Sequence, residues 1–394
     1  MSMKKGAIAL TAAAVGLAIV AAAYARPDGV RAVQTASGAK AIACKGTLTL
    51  GMMAPITGPA ASIGDDQLHW AQFYFTQWNK KHRLKFKLLQ GDTQLDPSKA
   101  SVVAQQFASN AKMLGVIGPA GSQEVVASSP ILKGAGLGFI SGSATRVSLT
   151  DGSLKGNFFR VVPNDGVQGP TAADYMTSKL GVARNSDVMI VDDQEAYSTG
   201  LADIVGSTLT AKGVKVDRES ISQSQTDFSS VVAKIKGSTK VVYLPFQLAS
   251  QAQLFAQQMS EQNKKAIPFG SDGTFDVSKF HFNGAYISFF APDVTTLDVD
   301  KAIVTAFHRQ FPGATSPFGA PNYVAAQVFA NAVTKACKAG KNKVTRASVR
   351  KWIMRTSLTA TILGGPLKFT GNGDVSGAKF HIFKIVNGQY VTVQ

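Results

Sequence analysis

From Thr47 onwards, short apolar runs alternate with longer segments whose apolar residues recur at helical spacing. The runs TLTLGMM, KFKLLQG, MLGVIG and LGFIS are typical of buried strands, and helices are predicted between them at 65–80, 97–110 and 123–133. Strands that alternate with helices in this way are typical of βαβ units in a parallel sheet. We therefore predict one doubly wound lobe in this part of the chain.

A second series of the same kind follows FFRVVPNDG. The strand candidates are DVMIVDD, VDRESIS, KVVYLPF, IPFGSD and AYISFFAP, with helices predicted at 171–180, 200–212, 227–236 and 250–262. Three further helices are predicted at 300–311, 322–339 and 345–354, with no strong strand between them. We expect these three helices to complete the first lobe.

The C-terminal segment FHIFKIVNGQYVTV has two alternating runs joined by Asn387-Gly388, which is a strong hairpin signal. If this hairpin packs on the second lobe, the chain crosses between lobes near 163–165, 291–293 and 364–366. The predicted fold is α/β, with two doubly wound parallel-sheet lobes joined by a three-stranded hinge. Lobe 1 would comprise 47–163 and 293–365, and lobe 2 would comprise 164–292 and 366–394. A ligand would bind in the cleft that such lobes close.

The first 25 residues have the pattern of a secretory signal peptide. Lys4 and Lys5 precede an apolar stretch at 7–23, and AYA ends at Ala25 as a small-residue cleavage site. Residues 26–46 are interpreted as a flexible segment. We expect an exported, periplasmic protein cleaved near Ala25, and the alternative is a short membrane anchor.

Export makes the two cysteines informative, because paired cysteines in exported proteins usually form a disulfide. Cys44 and Cys337 are the predicted pair. Lipidation of Cys44 is the alternative.

The chain of 394 residues is 45% hydrophobic and carries a formal net charge of +17, which suits a large globular protein. Residues 335–355 hold eight Lys or Arg and no acid. This region is either a solvated basic face or a docking surface for an anionic partner or membrane headgroups. Nucleic acid is not an expected partner, because the protein is exported.

The sequence favours binding over catalysis. It contains no G-x-S-x-G, P-loop, G-x-G-x-x-G or H-E-x-x-H motif, and its five histidines lie far apart. We expect no enzymatic activity, no cofactor and no metal. An exported hydrolase with a dispersed active site is the rival hypothesis.

Two loops at the carboxyl ends of neighbouring strands carry candidate ligand donors. PAGSQE follows MLGVIG, and GSATR follows GFIS, so Ser122, Ser143 and Thr145 are expected to hold a carboxylate. In the second lobe, Asp272 of PFGSDGTF could pair with an ammonium group, and Tyr197 could cover the ligand.

These segments together resemble the Leu/Ile/Val-binding group of type I periplasmic binding proteins, which serve branched-chain amino acid ABC transporters. The resemblance covers nearly all of 47–392. Its landmarks are TGPAASIGDDQ, GDTQLDPSKA, IGPAGS, FRVVPNDGVQGPTAADY, VDDQEAYSTGLA, DFSSVVAKIK and GGPLKFTGNGD.

The resemblance implies a monomeric protein that binds an amino acid through a defined set of contacts. It also implies a membrane permease as its partner. The implied contacts are Ser122, Ser143 through its backbone, Ala144, Thr145, Tyr197 and Asp272, with Gly121 and Phe318 as walls. Two positions depart from the family pattern, because Ile63 and Gln247 stand where relatives carry tyrosines. The alternative ligands are therefore amides, urea or small aromatic acids, and the alternative role is that of a ligand-sensing receptor.

Overall fold

The computed structural model describes residues 41–313 and 316–394, so the predicted signal peptide and most of the segment 26–46 lie outside the described residues. The strands are β1 Ile42–Ala43, β2 Thr47–Ala54, β3 Lys85–Asp92, β4 Met113–Ile117, β5 Gly138–Ser141, β6 Phe158–Arg160, β7 Asp187–Asp192, β8 Lys215–Ser220, β9 Thr239–Leu244, β10 Ile267–Gly270, β11 Tyr286–Phe289, β12 Lys343–Val344, β13 Ser357–Leu358, β14 Leu367–Lys368, β15 His381–Val386 and β16 Gln389–Thr392. The helices are α1 Ala61–Lys81, α2 Pro97–Ser109, α3 Ser122–Gly134, α4 Asp165–Lys179, α5 Ala196–Ala211, α6 Ser229–Ala233, α7 Ala249–Glu261, α8 Lys301–Gln310, α9 Gly319–Ala339 and α10 Arg346–Met354.

The first lobe is built on a five-stranded parallel sheet in the order β3-β2-β4-β5-β6. Its central strands are apolar on both faces, as expected for a sheet covered by helices on both sides. Helices α1, α9 and α10 contribute Trp70, Phe329 and Ile353 to the core on one face. Helices α2 and α3 contribute Val103 and Val125 to the core on the other face.

The second lobe has a seven-stranded sheet in the order β16-β15-β11-β10-β9-β7-β8. Strands β7 to β11 are parallel, and the hairpin β15-β16 adds two antiparallel strands at one edge. Asn387 and Gly388 both have positive φ, 50° and 75°, which is the turn geometry that the Asn-Gly pair favours. The predicted hairpin is present, and its strand β15 pairs with β11 of this sheet.

The fold class predicted from the sequence is confirmed, with two α/β lobes and three chain crossings between them. The first crossing lies between β6 and α4, and the second between β11 and α8. Leu367 packs in the first-lobe core and Phe380 in the second-lobe core, so the third crossing falls after β14 rather than at 364–366. We therefore propose that lobe 2 resumes near Phe380.

Cys44 and Cys337 form a disulfide that ties the segment before β2 to α9. The adjacent strands β1 and β12 pair antiparallel at the same place. The cross-link lies within the first lobe. It therefore fastens the start of the described chain to its C-terminal helices.

Several helix bounds differ from the sequence prediction. Helix α1 begins at Ala61 rather than 65, and α4 begins at Asp165 rather than 171 because the side chain of Asn164 accepts a hydrogen bond from the N–H of Gly166 and caps it. Helix α6 is only five residues long, and the short strand β6 was not predicted. No helix in the described part of the chain is long and apolar enough to cross a bilayer.

Candidate functional site

The first-lobe side of the site is the start of α3, which follows β4. Gly121 is the N-cap residue, and its N–H donates to the Glu124 carboxylate at 2.5 Å. Ser122 is the first residue of the helix and is buried, and its hydroxyl accepts a hydrogen bond from the N–H of Arg146 at 3.3 Å. The N–H groups in the first turn of a helix have no partner within it, so this turn can accept an anion.

The loop after β5 lies against this helix start. The Ser143 hydroxyl donates to the carbonyl of Ala120 at 2.8 Å and accepts from the Gln67 amide at 2.8 Å. The Ser141 hydroxyl accepts from the N–H groups of Ser143 and Ala144, at 3.2 and 2.9 Å, and so fixes the loop. Neighbouring parallel strands therefore bring Ser122 and Ser143 together, as expected from their position in the sheet.

The second-lobe side of the site centres on Asp272, which follows β10. Its Oδ1 accepts from the Tyr197 hydroxyl at 2.5 Å and from the Gln168 amide at 2.6 Å. Burial raises the pKa of Asp272 to about 6, although both of these hydrogen bonds favour the carboxylate. Asp272 is thus a buried acid held in a fixed orientation by two donors.

A second buried acid, Asp165, lies near Asp272 at the start of α4. Burial raises its pKa to about 8, and the charge of Asp272 contributes in the same direction. Its N–H donates to the carbonyl of Thr145 at 2.9 Å, which ties the beginning of the second lobe to the loop of the first. At neutral pH Asp272 is therefore the member of this pair that carries the negative charge, and it is the one that lines the cavity.

An amide pair crosses the cleft at its other side. Gln123 of α3 and Gln247, after β9, exchange two hydrogen bonds of 2.8 and 2.9 Å. Gln247 Oε1 also accepts from the Gln223 amide at 2.7 Å, and its N–H donates to Asp193 at 3.0 Å. These bonds hold the two lobes together beside the site.

The residues enclose a cavity of about 30 Å³ between the lobes. That volume holds about two water molecules, whereas small-molecule sites usually measure about 300–1,000 Å³. Glycine at position 273 allows the backbone after Asp272 to pack closely against the backbone of Phe246, because a Cβ at 273 would lie 2.4 Å from the carbonyl oxygen of Phe246. A ligand of amino acid size would therefore have to move the lobes or the amide pair apart.

Eight of the ten residues expected to contact a ligand line this cavity. They are Ile63, Gly121, Ser122, Ser143, Tyr197, Gln247, Asp272 and Phe318. The two others, Ala144 and Thr145, do not line it. Thr145 is fully buried beside the Asp165 carboxyl, so its side chain supports the site from behind.

Four polar residues of the site were not predicted from the sequence. Gln67 and Gln123 are on the first-lobe side, and Gln168 and Asp165 are on the second-lobe side. Gln123 directly follows Ser122, and both Asp165 and Gln168 lie in the segment PNDGVQG, so their positions beside strand ends could have indicated them. Glutamine has no spacing signature of its own, and this is why the pattern did not reveal them.

Two pairs of adjacent aspartates, Asp65–Asp66 and Asp192–Asp193, do not line the cavity. Asp65 is in the second turn of α1, not at the helix start where the sequence interpretation placed it. Asp192 forms a salt bridge with Arg218 at 2.7 Å, and Asp193 accepts from Gln247 as described above. Burial raises the pKa of Asp193.

The arrangement is suited to holding a molecule with charges of both signs. Hydroxyls and a helix start face the cavity from one lobe, and a carboxylate faces it from the other. Burial raises the pKa of Glu124, behind the helix start, to about 7. Near neutral pH this carboxyl is therefore partly protonated, which reduces its repulsion of an anion at the helix start.

A protein-family model described as "Periplasmic binding protein" matches residues 47–389. The Leu/Ile/Val-binding protein homolog 3 of Brucella melitensis is 26% identical over 357 residues, which cover 88% of this chain and 94% of that protein.

Two solved structures are similar in fold. A leucine-binding protein from Thermotoga maritima has a TM-score of 0.79 at 19% identity, over 88% of this chain and 98% of that one. A solute-binding protein from R. palustris in complex with benzoate has a TM-score of 0.76 at 19% identity, over 88% of this chain and 96% of that one. At these identities the likeness shows the fold.

Proposed function

The chain belongs to the periplasmic binding protein family, and from this premise we propose that it binds an apolar amino acid between its lobes and delivers it to the permease of an ABC transporter. The family consists of solute-binding proteins rather than enzymes. The Brucella relative is named for leucine, isoleucine and valine, and the Thermotoga neighbour for leucine, so these are the first ligands to test.

One observation carries the proposal, namely that Asp272 and the pair Ser122 and Ser143 line the same cavity from opposite lobes. An α-carboxylate would accept hydrogen bonds from the Ser122 hydroxyl and from the start of α3, beside Ser143. An α-ammonium would donate to Asp272, which is already oriented by Tyr197 and Gln168. The amino acid would then contact one lobe through its carboxylate and the other lobe through its ammonium group.

Binding of this kind also explains how the lobes respond. A ligand shifts a protein between conformations only through contacts that differ between them. A zwitterion held by Ser122 on one lobe and Asp272 on the other makes its full set of contacts only when the lobes are close. The Gln123–Gln247 pair joins the lobes on one side of the same cleft.

The side chain of the ligand is proposed to lie against Ile63, Leu95 and Phe318, which are the large aliphatic and phenyl side chains of the lining. Gln247 gives this wall a polar edge. Transport further requires export, for which we propose cleavage of residues 1–25 near Ala25.

A thermal-shift screen of the mature protein tests the function. The panel comprises the twenty amino acids with urea, short amides, benzoate and other aromatic acids, and calorimetry follows for each hit. We expect apolar amino acids to give the largest stabilisation with a stoichiometry of one, because only ligand that binds the folded state raises the unfolding temperature. Stabilisation by amides or aromatic acids alone would contradict the amino acid proposal.

A small aromatic acid is the second candidate ligand. Ile63 and Gln247 stand at the two positions that depart from the family pattern, and the R. palustris neighbour was solved with benzoate. With a pKa of about 6, Asp272 is readily protonated and can then face a ligand that has no ammonium group. The two candidates differ in their response to Asp272→Asn, which would weaken amino acid binding and spare benzoate.

A further inference from the structure

A second cavity, of about 240 Å³, lies between the lobes beside the second chain crossing. It is eight times as large as the cavity at the candidate site. Phe318 lines the candidate site and packs edge-on against Phe289, which lines the second cavity, with ring centroids 5.2 Å apart. This aromatic contact separates the two cavities.

Aromatic side chains form both walls of the second cavity. On the first lobe, Trp70 and Phe307 are stacked with centroids 3.8 Å apart. On the second lobe, Phe275 packs against Phe289 at 4.3 Å and edge-on against Tyr390 at 4.6 Å. Aromatic rings attract cations through their negative faces, and this attraction grows where water is excluded.

The charged groups at this cavity are mainly acidic, although the protein as a whole is strongly basic. Asp276 and Asp293 line it, and none of the described lining residues is Lys or Arg. Asp276 Oδ1 accepts from the N–H and hydroxyl of Ser278, at 3.0 and 2.6 Å, whereas its Oδ2 is buried without a hydrogen-bond partner. An unpaired buried acceptor costs free energy that a donor in the cavity would recover.

We propose that this cavity is a second small-molecule site, which binds an organic ammonium ion with an aromatic or short alkyl body. The ammonium group donates to Asp276, and the apolar body lies between the Trp70–Phe307 and Phe275–Phe289 walls. The volume is adequate, because an apolar cavity of about 150 Å³ in another protein takes up benzene. An anionic ligand is disfavoured by the two aspartates.

Calorimetry with 2-phenylethylamine at about pH 8 tests the site. We expect one mole of 2-phenylethylamine to bind per mole of protein, with a Kd of roughly 0.01–1 mM. Asp276→Asn should weaken binding by roughly 10–100-fold, since a charged hydrogen bond is lost. The neutral probe 2-phenylethanol should bind more weakly and respond little to Asp276→Asn.

Two cavity-filling variants locate the bound amine. Val304→Phe, on α8, and Val294→Phe, in the second crossing, each place a larger side chain in the cavity and should abolish amine binding. Both should keep the circular dichroism spectrum and the affinity for the amino acid ligand of the parent. Asp272→Ala, at the candidate site, should leave amine binding within about twofold of the parent.

Three results would overturn the second site. They are a failure of 2-phenylethylamine to bind, an unchanged Kd in Asp276→Asn or in both folded filling variants, and loss of amine binding in Asp272→Ala. The last result would mean that the amine occupies the candidate site. Because the amine titration needs no amino acid ligand, a failure of the proposed function would leave this test intact.

Discussion

Asp272→Asn separates the binding role of this acid from its effect on stability. The substitution keeps the shape of the side chain and an oxygen that can accept from Tyr197 and Gln168, but it removes the charge. Removing one partner of a buried, hydrogen-bonded charge pair costs about 2–5 kcal/mol. Because the amide oxygen accepts from Tyr197 and Gln168, the amide NH2 replaces the second carboxylate oxygen and cannot accept a hydrogen bond from the ammonium. We therefore expect the full cost of about 2–5 kcal/mol, or a Kd roughly 30–5,000 times larger.

The unliganded protein should respond in the opposite direction. The folded state raises the pKa of Asp272 from 3.8 to about 6, so between these values the folded state binds more protons than the unfolded state. Stability therefore falls as the pH rises through this window, and at neutral pH the buried carboxylate costs about 3 kcal/mol. Asparagine has no such cost, so the variant should unfold at an equal or higher temperature than the parent at pH 7.

Calorimetry gives the Kd, and thermal denaturation without ligand gives the stability. Asp192→Asn is the matched control, because Asp192 is a buried acid of the same lobe that pairs with Arg218 away from the cavity. It should lower the unfolding temperature and leave the Kd within about twofold. An unchanged Kd in Asp272→Asn, or weaker binding that merely accompanies unfolding, would refute the assignment of Asp272 as the ammonium partner.

Further predictions concern pH, the disulfide and the amide pair. Affinity for the amino acid should be full above about pH 7 and fall by up to about tenfold per pH unit as the pH drops through 6, because a proton on Asp272 then competes with the ligand. Calorimetric titrations from pH 5 to 8 measure this dependence, and a Kd that does not change with pH would contradict it. Replacing Cys44 and Cys337 with alanine should lower the free energy of unfolding by about 2–5 kcal/mol in denaturant titrations. The Kd should not change, since the disulfide lies within one lobe. Equal stability with and without the disulfide would contradict the prediction. Gln123→Ala, which breaks the amide pair with Gln247, should increase the radius of gyration of the unliganded protein in X-ray scattering, and an identical profile would show that the pair does not hold the lobes together.

The sequence was most informative where one physical signal dominates. Buried parallel strands are continuous apolar runs, so β2, β4 and β9 were recognised directly. The C-terminal hairpin followed from Asn387-Gly388, because few other dipeptides tolerate two positive φ angles.

Helix starts were less predictable, because they depend on local capping. Asn164 caps α4, which begins six residues before the predicted start, and Pro170 lies within that helix just before the predicted start. The five residues of α6 are too few for helical spacing to fix its ends.

The same distinction applies to the candidate site. Ser122, Ser143 and Asp272 line one cavity, and each was singled out because it follows the carboxyl end of a parallel strand, where open α/β sheets place their ligand-facing loops. The orientation of each side chain within a loop has no such rule, so Thr145 lies behind the cavity rather than in it. The amide pair of Gln123 and Gln247 depends on how the two lobes face each other, which no local pattern specifies.

The central claim is that the cleft holds both charged ends of one amino acid, and calorimetry on three related ligands tests it most directly. For leucine, the ligands are leucine itself, 4-methylpentanoate without the ammonium group and 3-methylbutylamine without the carboxylate. We predict that leucine binds with a stoichiometry of one and that each analogue binds at least about 30-fold more weakly, because each leaves a buried charged or polar group without its partner. An analogue with a single charge that binds as tightly as leucine would contradict the account.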